Sequence, residues 1–180
     1  RMTVGEIIAD PLRTLRPELS KSQRRDTVLK TMESVGLLPE MINRYPHEFS
    51  GGQAQRIGIA RALITEPKLI VCDEPVSALD VSIQAQILHE MRSLAQETGT
   101  ALIWISHDLA TVSSLASRLL VMYAGRVVEE GPTAAVLKNP QHPYTRGLID
   151  SLPATAQPGQ PLRQIPGTTP SLLSLGEGCP

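Results

Sequence analysis

Leu69-Ile70-Val71-Cys72-Asp73-Glu74 decides how the chain is read. It is a short, continuous apolar run that ends in two carboxylates, the pattern of a buried strand in a parallel sheet. Asp80 then stands where it can cap a helix, with Ile83, Ile87, Leu88, Met91, Leu94 and Ala95 on one stripe and Gly99 at the end. Ala101 to Ile105 predicts a second apolar strand, followed by Ser106-His107-Asp108 and a helix from near Leu109 to Ala116. Strand, helix, strand, helix in that order argues for an α/β layer with a mostly parallel sheet. Open sheets of this kind bind ligands at the carboxyl ends of their strands, where Asp73, Glu74 and His107 fall.

Upstream, the spacing of Val4, Ile7, Ile8 and Leu12 predicts one helix, and that of Val28, Leu29, Met32 and Val35 a second. Pro11, Pro17, Pro39 and Pro46 punctuate this region, which reads as a small helical subdomain. Ser50 is a good N-cap for a helix running to about Ile64, with Pro67 beyond its end. Downstream, Leu119 to Met122 and Val127 to Glu129, joined by Ala124-Gly125-Arg126, predict a hairpin. Two short helices are expected around Asn139 to Pro143, and the Pro-, Gly-, Thr- and Ser-rich stretch after Leu152 is expected to be extended.

Composition excludes several functions. With 17 basic and 18 acidic side chains the net charge is -1, so no field draws the chain to nucleic acid. Aromatics are 3 %, too few for stacking platforms. Apolar runs such as Leu119 to Ala124 are too short to cross a bilayer. Cys72 and Cys179 form no disulfide framework, and Cys179 alone predicts no metal site at that end. The chain starts on Arg1 and stops on Gly178-Cys179-Pro180; neither end reads as natural, and a longer protein is expected.

Three places could carry chemistry. Asp73 and Glu74 close a strand; adjacent strand positions face opposite ways, so one can hold a cation while the other polarises water. The plain reading is that a loop simply begins there. Ser50-Gly51-Gly52-Gln53 opens a helix, whose free amides and dipole favour an anion such as phosphate. Its plain reading is a glycine turn with a serine cap. His107 could contact a phosphate or an attacking water, although a lone histidine is more often a hydrogen-bonded structural residue.

Order adds what each signal lacks. Tyr45 to Arg61 reads Tyr-Pro-His-Glu-Phe-Ser-Gly-Gly-Gln-Ala-Gln-Arg-Ile-Gly-Ile-Ala-Arg; then come Leu69 to Pro75, Ser77-Ala78-Leu79-Asp80 and Ser106-His107-Asp108. From Arg1 to about Gly131 this succession resembles an ABC ATPase, a P-loop NTPase type of nucleotide-binding domain. Ser50, Gly51, Gly52 and Gln53 match the signature loop, with Phe49 where Leu is usual. Asp73 and Glu74 match the end of the Walker B strand, Ser77, Ala78, Leu79 and Asp80 the D-loop, and His107 the switch histidine.

The resemblance implies ATP and Mg²⁺ as ligands, with Asp73 organising the metal through its water shell. It implies Glu74 as general base and His107 as the group aligning water and γ-phosphate. Ser50 to Gln53 would meet ATP held by a second ABC ATPase subunit, and Ser77 to Asp80 would lie at that seam. No Gly-x-x-x-x-Gly-Lys-Ser/Thr loop occurs in the 180 residues, so this stretch by itself is expected to bind ATP poorly and not to turn it over. The implied domains are a helical subdomain over 1–55 ending in the signature loop, a partial ATPase core over 56–131, and a C-terminal extension over 132–180.

Gly131-Pro132-Thr133, Asn139 to Leu148 and the Pro-Gly-Thr-Thr-Pro-Ser-Leu run from Pro166 to Leu172 resemble the extension of dipeptide, oligopeptide and nickel importer ATPases. That branch implies transmembrane permease subunits as partners, a solute-binding protein acting indirectly, and a peripheral place on the cytoplasmic face of the inner membrane. Two other readings are a half-site module that completes a partner's ATP site, and an ABC ATPase outside transport.

Overall fold

The spacing of the apolar positions is realised as seven α-helices and four strands among the described residues. The computed structural model describes residues 2–77, 79–153 and 163–167. The chain divides into two compact units, Arg1–His107 and Asp108–Pro180.

In the first unit, α1 (Val4–Leu15) is set by a capping box: the Thr3 hydroxyl accepts the Glu6 N–H and the Glu6 carboxylate accepts the Thr3 N–H. Val4, Ile8 and Leu12 recur on one face and are buried. Pro11 lies inside this helix rather than ending it. It forfeits one i→i−4 bond, while Ile8 and Leu12 on either side are anchored in the core; burying each contributes roughly 1.5–3 kcal/mol. Helix α2 (Lys21–Ser34) opens on a second capping box, Ser20 with Gln23, and buries Val28 and Met32. Two 3₁₀ turns, Pro39–Asn43 and Pro46–Glu48, lead to α3 (Gly51–Leu63).

Helix α3 joins two cores. Ile57, Ala60 and the following Ile64 pack with α1 and α2, while Ile59 and Leu63 also touch the cluster of Ile70, Cys72, Val76, Ile87 and Met91. Arg56 ties the same helix to both sides. Its guanidinium donates to the Val35 carbonyl at 2.6 Å and to the Glu90 carboxylate at 2.7 Å, a pairing whose side chains are 11 % and 24 % exposed. Glu90 lies on α4 (Val81–Thr98).

Strands β1 (Leu69–Asp73) and β2 (Ala101–Ile105) pair in parallel, with Asp73 opposite Ile105. The apolar run predicts a strand buried on both faces, and only one face is. Ile70 and Cys72 are covered, whereas Leu69 and Val71 are 49 % and 58 % exposed, as are Ile103 and Ile105 at 49 % and 46 %. Helices α3 and α4 lie against the Cys72 side, and no other described element of this unit covers the opposite face.

The second unit begins with α5 (Leu109–Leu115), capped by Asp108, and the antiparallel hairpin β3 (Arg118–Tyr123) and β4 (Arg126–Pro132). Ala124 and Gly125 both have positive φ, 49° and 76°, which makes the two-residue connection a type I′ turn suited to the strands' twist. Helices α6 (Thr133–Lys138) and α7 (Pro143–Asp150) follow, and Tyr144 of α7 packs on Tyr123 of β3 with ring centroids 4.3 Å apart. Most of the stretch after Leu152 lies outside the described residues.

Glu129 of β4 fastens the segment between these helices by accepting the N–H of Gln141 at 2.8 Å and of His142 at 3.0 Å. Desolvation pushes its carboxyl pKa up, but the donors around it, the Gln141 N–H first and then Thr145 and His142, together outweigh that and hold it below its ordinary value of 4.5. A depressed folded pKa stabilises the fold above 4.5, and the contribution is lost as pH falls through the folded value. The denaturant midpoint of the protein should therefore exceed that of Glu129→Gln near neutral pH, and the gap should close as the pH drops below 4.5. A gap that stays constant with pH would show that the carboxylate charge contributes nothing.

Candidate nucleotide site

Strand β1 delivers its two terminal carboxylates differently from simple alternation. Asp73 is the last strand residue and is exposed on the same side as Leu69 and Val71. Glu74 lies beyond the strand with φ 46°, in the left-handed region. That conformation costs a non-glycine residue on the order of 1–3 kcal/mol and persists only where neighbours over-determine it. Here the Glu74 N–H donates to the Ile105 carbonyl at 3.0 Å, and the Glu74 carbonyl accepts the Ser77 hydroxyl at 3.1 Å and the Ser77 N–H at 3.3 Å. So it is a backbone reversal, and not strand pleat, that sends the Glu74 side chain away from Asp73.

The reversal aims the Glu74 carboxylate at His107. Glu74 Oε1 lies 2.7 Å from His107 Nδ1 and accepts the His107 backbone N–H at 3.3 Å. His107 follows β2 as Glu74 follows β1, so the parallel register carries both to one edge. The histidine side chain is 80 % exposed and the glutamate 37 %, leaving the pair open to a water or phosphate from solvent. Among the described residues, no hydrogen bond or ion pair engages the Asp73 carboxylate, and no group of three His, Cys, Asp or Glu side chains is arranged around a metal. A single exposed carboxylate suits Mg²⁺, which keeps most of its waters and takes substrate phosphates as ligands. Cys72, just before Asp73 and on the sheet's covered side, is buried, and burial pushes its thiol pKa up, which suits a core residue rather than a nucleophile.

Ser50 caps α3 through a third capping box: its hydroxyl accepts the Gln53 N–H at 3.4 Å while the Gln53 side chain accepts the Ser50 N–H at 3.1 Å. Phe49 turns into the helical core. The two glycines differ in why they are small. A Cβ on Gly52 would stand 2.7 Å from Ile83 Cγ2, so close packing against α4 requires its absence. A Cβ on exposed Gly51 would meet only Leu79 Cδ2, at 3.4 Å. Neither glycine has positive φ.

Asp80 does cap α4, its carboxylate accepting the Ile83 N–H at 3.0 Å. Ser77 and Leu79 belong to the turn between β1 and α4, while Ala78 lies outside the described residues, as do Arg1 and Cys179. One side chain that the motif reading passed over matters here: Gln84 of α4 reaches back to this turn. Its signal was only a polar residue on the first turn of a helix.

An α/β edge with this carboxylate–histidine pair, a serine-capped helix and a helical subdomain is the architecture of an ABC transporter cassette, a P-loop NTPase-like fold. The chain carries part of an ABC transporter ATP-binding domain and an oligopeptide/dipeptide transporter C-terminal region: residues 1–77 match the first family and residues 128–180 the second. It is 55 % identical over 182 residues to the oligopeptide transport ATP-binding protein OppF of Salmonella typhimurium, covering 99 % of this chain and 54 % of that protein. It is 48 % identical over 180 residues to the di/tripeptide transport ATP-binding protein DppF of Pseudomonas aeruginosa, covering 99 % and 55 %. The chain thus spans about half the length of the curated relatives it matches. Among solved structures, the dimeric structure of MJ0796, a bacterial ABC transporter cassette, superposes with a TM-score of 0.64 at 30 % identity over 73 % of this chain and 57 % of that one. An inward-facing putative metal-chelate type ABC transporter gives a TM-score of 0.68 at 28 % identity, over 76 % and 54 %.

Proposed function

We propose that the protein is the ATP-hydrolysing subunit of a peptide importer, and the observation that carries this is the Glu74–His107 pair at the carboxyl edge of two parallel strands. Glu74 takes the proton from the attacking water at its carboxylate. His107 orients that carboxylate through Nδ1 and presents its exposed ring toward the γ-phosphate. Mg²⁺, when bound with ATP, neutralises charge on the phosphate oxygens, and Asp73 is the residue that would hold it through water. Catalysis in such sites is mostly positioning and electrostatics.

Ser50, Gly51, Gly52 and Gln53 then serve an ATP carried by a second ATPase subunit, with Ser77, Ala78, Leu79 and Asp80 along the seam. The dimeric state of the MJ0796 cassette supports pairing. Membrane-spanning permease subunits complete the importer, at the cytoplasmic face of the membrane; no described helix is long and apolar enough to cross a bilayer. Peptide as the solute is supported by the match over residues 128–180 and by the relatives' named substrates.

Uptake tests this reading directly. Disrupting the gene in its source cell should cut accumulation of a labelled tripeptide by about tenfold or more, the expected consequence of removing a required catalyst, and leave free amino-acid uptake unchanged. Unchanged tripeptide uptake in cells lacking the protein would defeat the peptide reading. Loss of nickel uptake alone would move the solute to a metal.

A further inference from the structure

Gln84 is the fourth residue of α4, and side chains there lean back toward the helix N-terminus, onto the preceding turn. Its amide nitrogen donates to the Val76 carbonyl at 2.9 Å and to the Leu79 carbonyl at 3.1 Å. Both amide protons are thereby used, and both acceptors sit in one turn whose Leu79 N–H also donates to the Val76 carbonyl at 3.1 Å. The turn begins at Ser77 on the Glu74 carbonyl and ends at Asp80 on the cap of α4. Its Leu79 side chain lies beside Gly51, and Ile83, next to Gln84, fills the space beside Gly52. The turn is therefore fixed to the Glu74 reversal at one end and rests on the Ser50 helix start at the other. Apart from the Leu79 N–H on the Val76 carbonyl, the only donor to those carbonyls among the described residues is the Gln84 amide.

We propose that Gln84 is a positioning residue that clamps the Val76–Leu79 turn, so that one side-chain amide sets the spacing between the hydrolytic Glu74 and the Ser50–Gln53 loop. This rests on the reading of the turn as the seam between two ATPase subunits. Without the amide, the Leu79 carbonyl loses its donor, the Val76 carbonyl keeps only the Leu79 N–H, and the half-buried turn drifts from both neighbours. Gln84→Glu is the sharper change, since an ionised carboxylate cannot donate and faces two carbonyl oxygens.

The test uses the full-length protein with its partner subunits. Gln84→Leu should lower kcat for ATP by about tenfold to a hundredfold, the scale of a displaced catalytic geometry, with KM within about threefold and the melting temperature lowered by only a few degrees. Gln84→Glu should lower kcat at least as far. Combined with Glu74→Gln, which removes hydrolysis, Gln84→Leu should also shorten the lifetime of the ATP-bound closed pair, a readout that general destabilisation with normal seam geometry does not move. Wild-type kcat in either folded variant overturns the clamp, and if the Leu variant does not fold, the Gln84→Glu variant decides. Should the unsubstituted full-length protein with its partners hydrolyse no ATP, the ATPase reading fails, and that outcome is distinguishable from failure of the clamp alone.

Discussion

Glu74→Gln in the full-length protein is expected to lower kcat for ATP hydrolysis by about a hundredfold to ten-thousandfold, the usual worth of a positioned general base. The upper end corresponds to a barrier higher by roughly 5 kcal/mol, at about 1.36 kcal/mol per tenfold. The amide keeps the size of the carboxylate and can still meet His107 Nδ1, so the 2.7 Å contact has a substitute while the proton acceptor has none. Affinity for ATP should stay within about threefold, because an interaction needed only in the transition state leaves ground-state binding alone. The protein should accumulate as an ATP-bound closed pair, visible as a doubled mass by size-exclusion chromatography with light scattering. Turnover near the wild-type rate would remove Glu74 from the chemistry and leave its strained backbone without a functional reason.

That strain also shows where sequence reading reaches its limit. Ser50, Asp80 and the Ala124-Gly125 turn are legible because caps and turns are settled by a few neighbouring residues. The positive φ of Glu74 is not, since it is held by Ile105, a partner 31 residues away by numbering (105 − 74), through β1–β2 pairing. The Arg56 bridge is equally silent in one dimension, because Val35 and Glu90 share a neighbourhood only after the helices have packed, while the Gln84 clamp is local but answers to no short cap or turn motif. The apolar run of β1 told what the strand requires, not which of its faces is covered among the described residues, and Leu69 and Val71 mark the difference. Pro11 is the opposite case, a local breaker overruled by the helical spacing of Ile8 and Leu12, which the sequence already shows on either side of it.

The geometry also separates the roles of the two signature glycines, a distinction their sequence leaves open. Gly52 is small because Ile83 occupies the space its side chain would need. Packing explains it fully. Gly51 has no such neighbour, an ordinary backbone and an exposed position at the first turn of a 13-residue helix. Its missing side chain leaves the first-turn amides accessible, which is the opening a phosphate would need under the reading proposed above.

Gly51→Asp turns this into a measurement in which stability and activity should move in opposite directions. A carboxylate at the first helical position of α3 complements the helix dipole, so the folded protein should gain about 0.3–1 kcal/mol at low salt, or at worst lose nothing. The side chain has room, since only Leu79 stands near at 3.4 Å. The same negative charge occupies the place offered to a γ-phosphate and repels it. ATP hydrolysis by the paired subunits should fall by about a hundredfold or more, comparable to losing a donor to the developing charge. Gly52→Ala should behave differently, lowering the denaturant midpoint and the rate together, because its Cβ must displace Ile83 from the first turn of α4. Wild-type hydrolysis in Gly51→Asp would mean that this helix start never meets nucleotide. A drop in its stability as large as that of Gly52→Ala would mean that its lost rate reports folding, and the phosphate reading would lose its support.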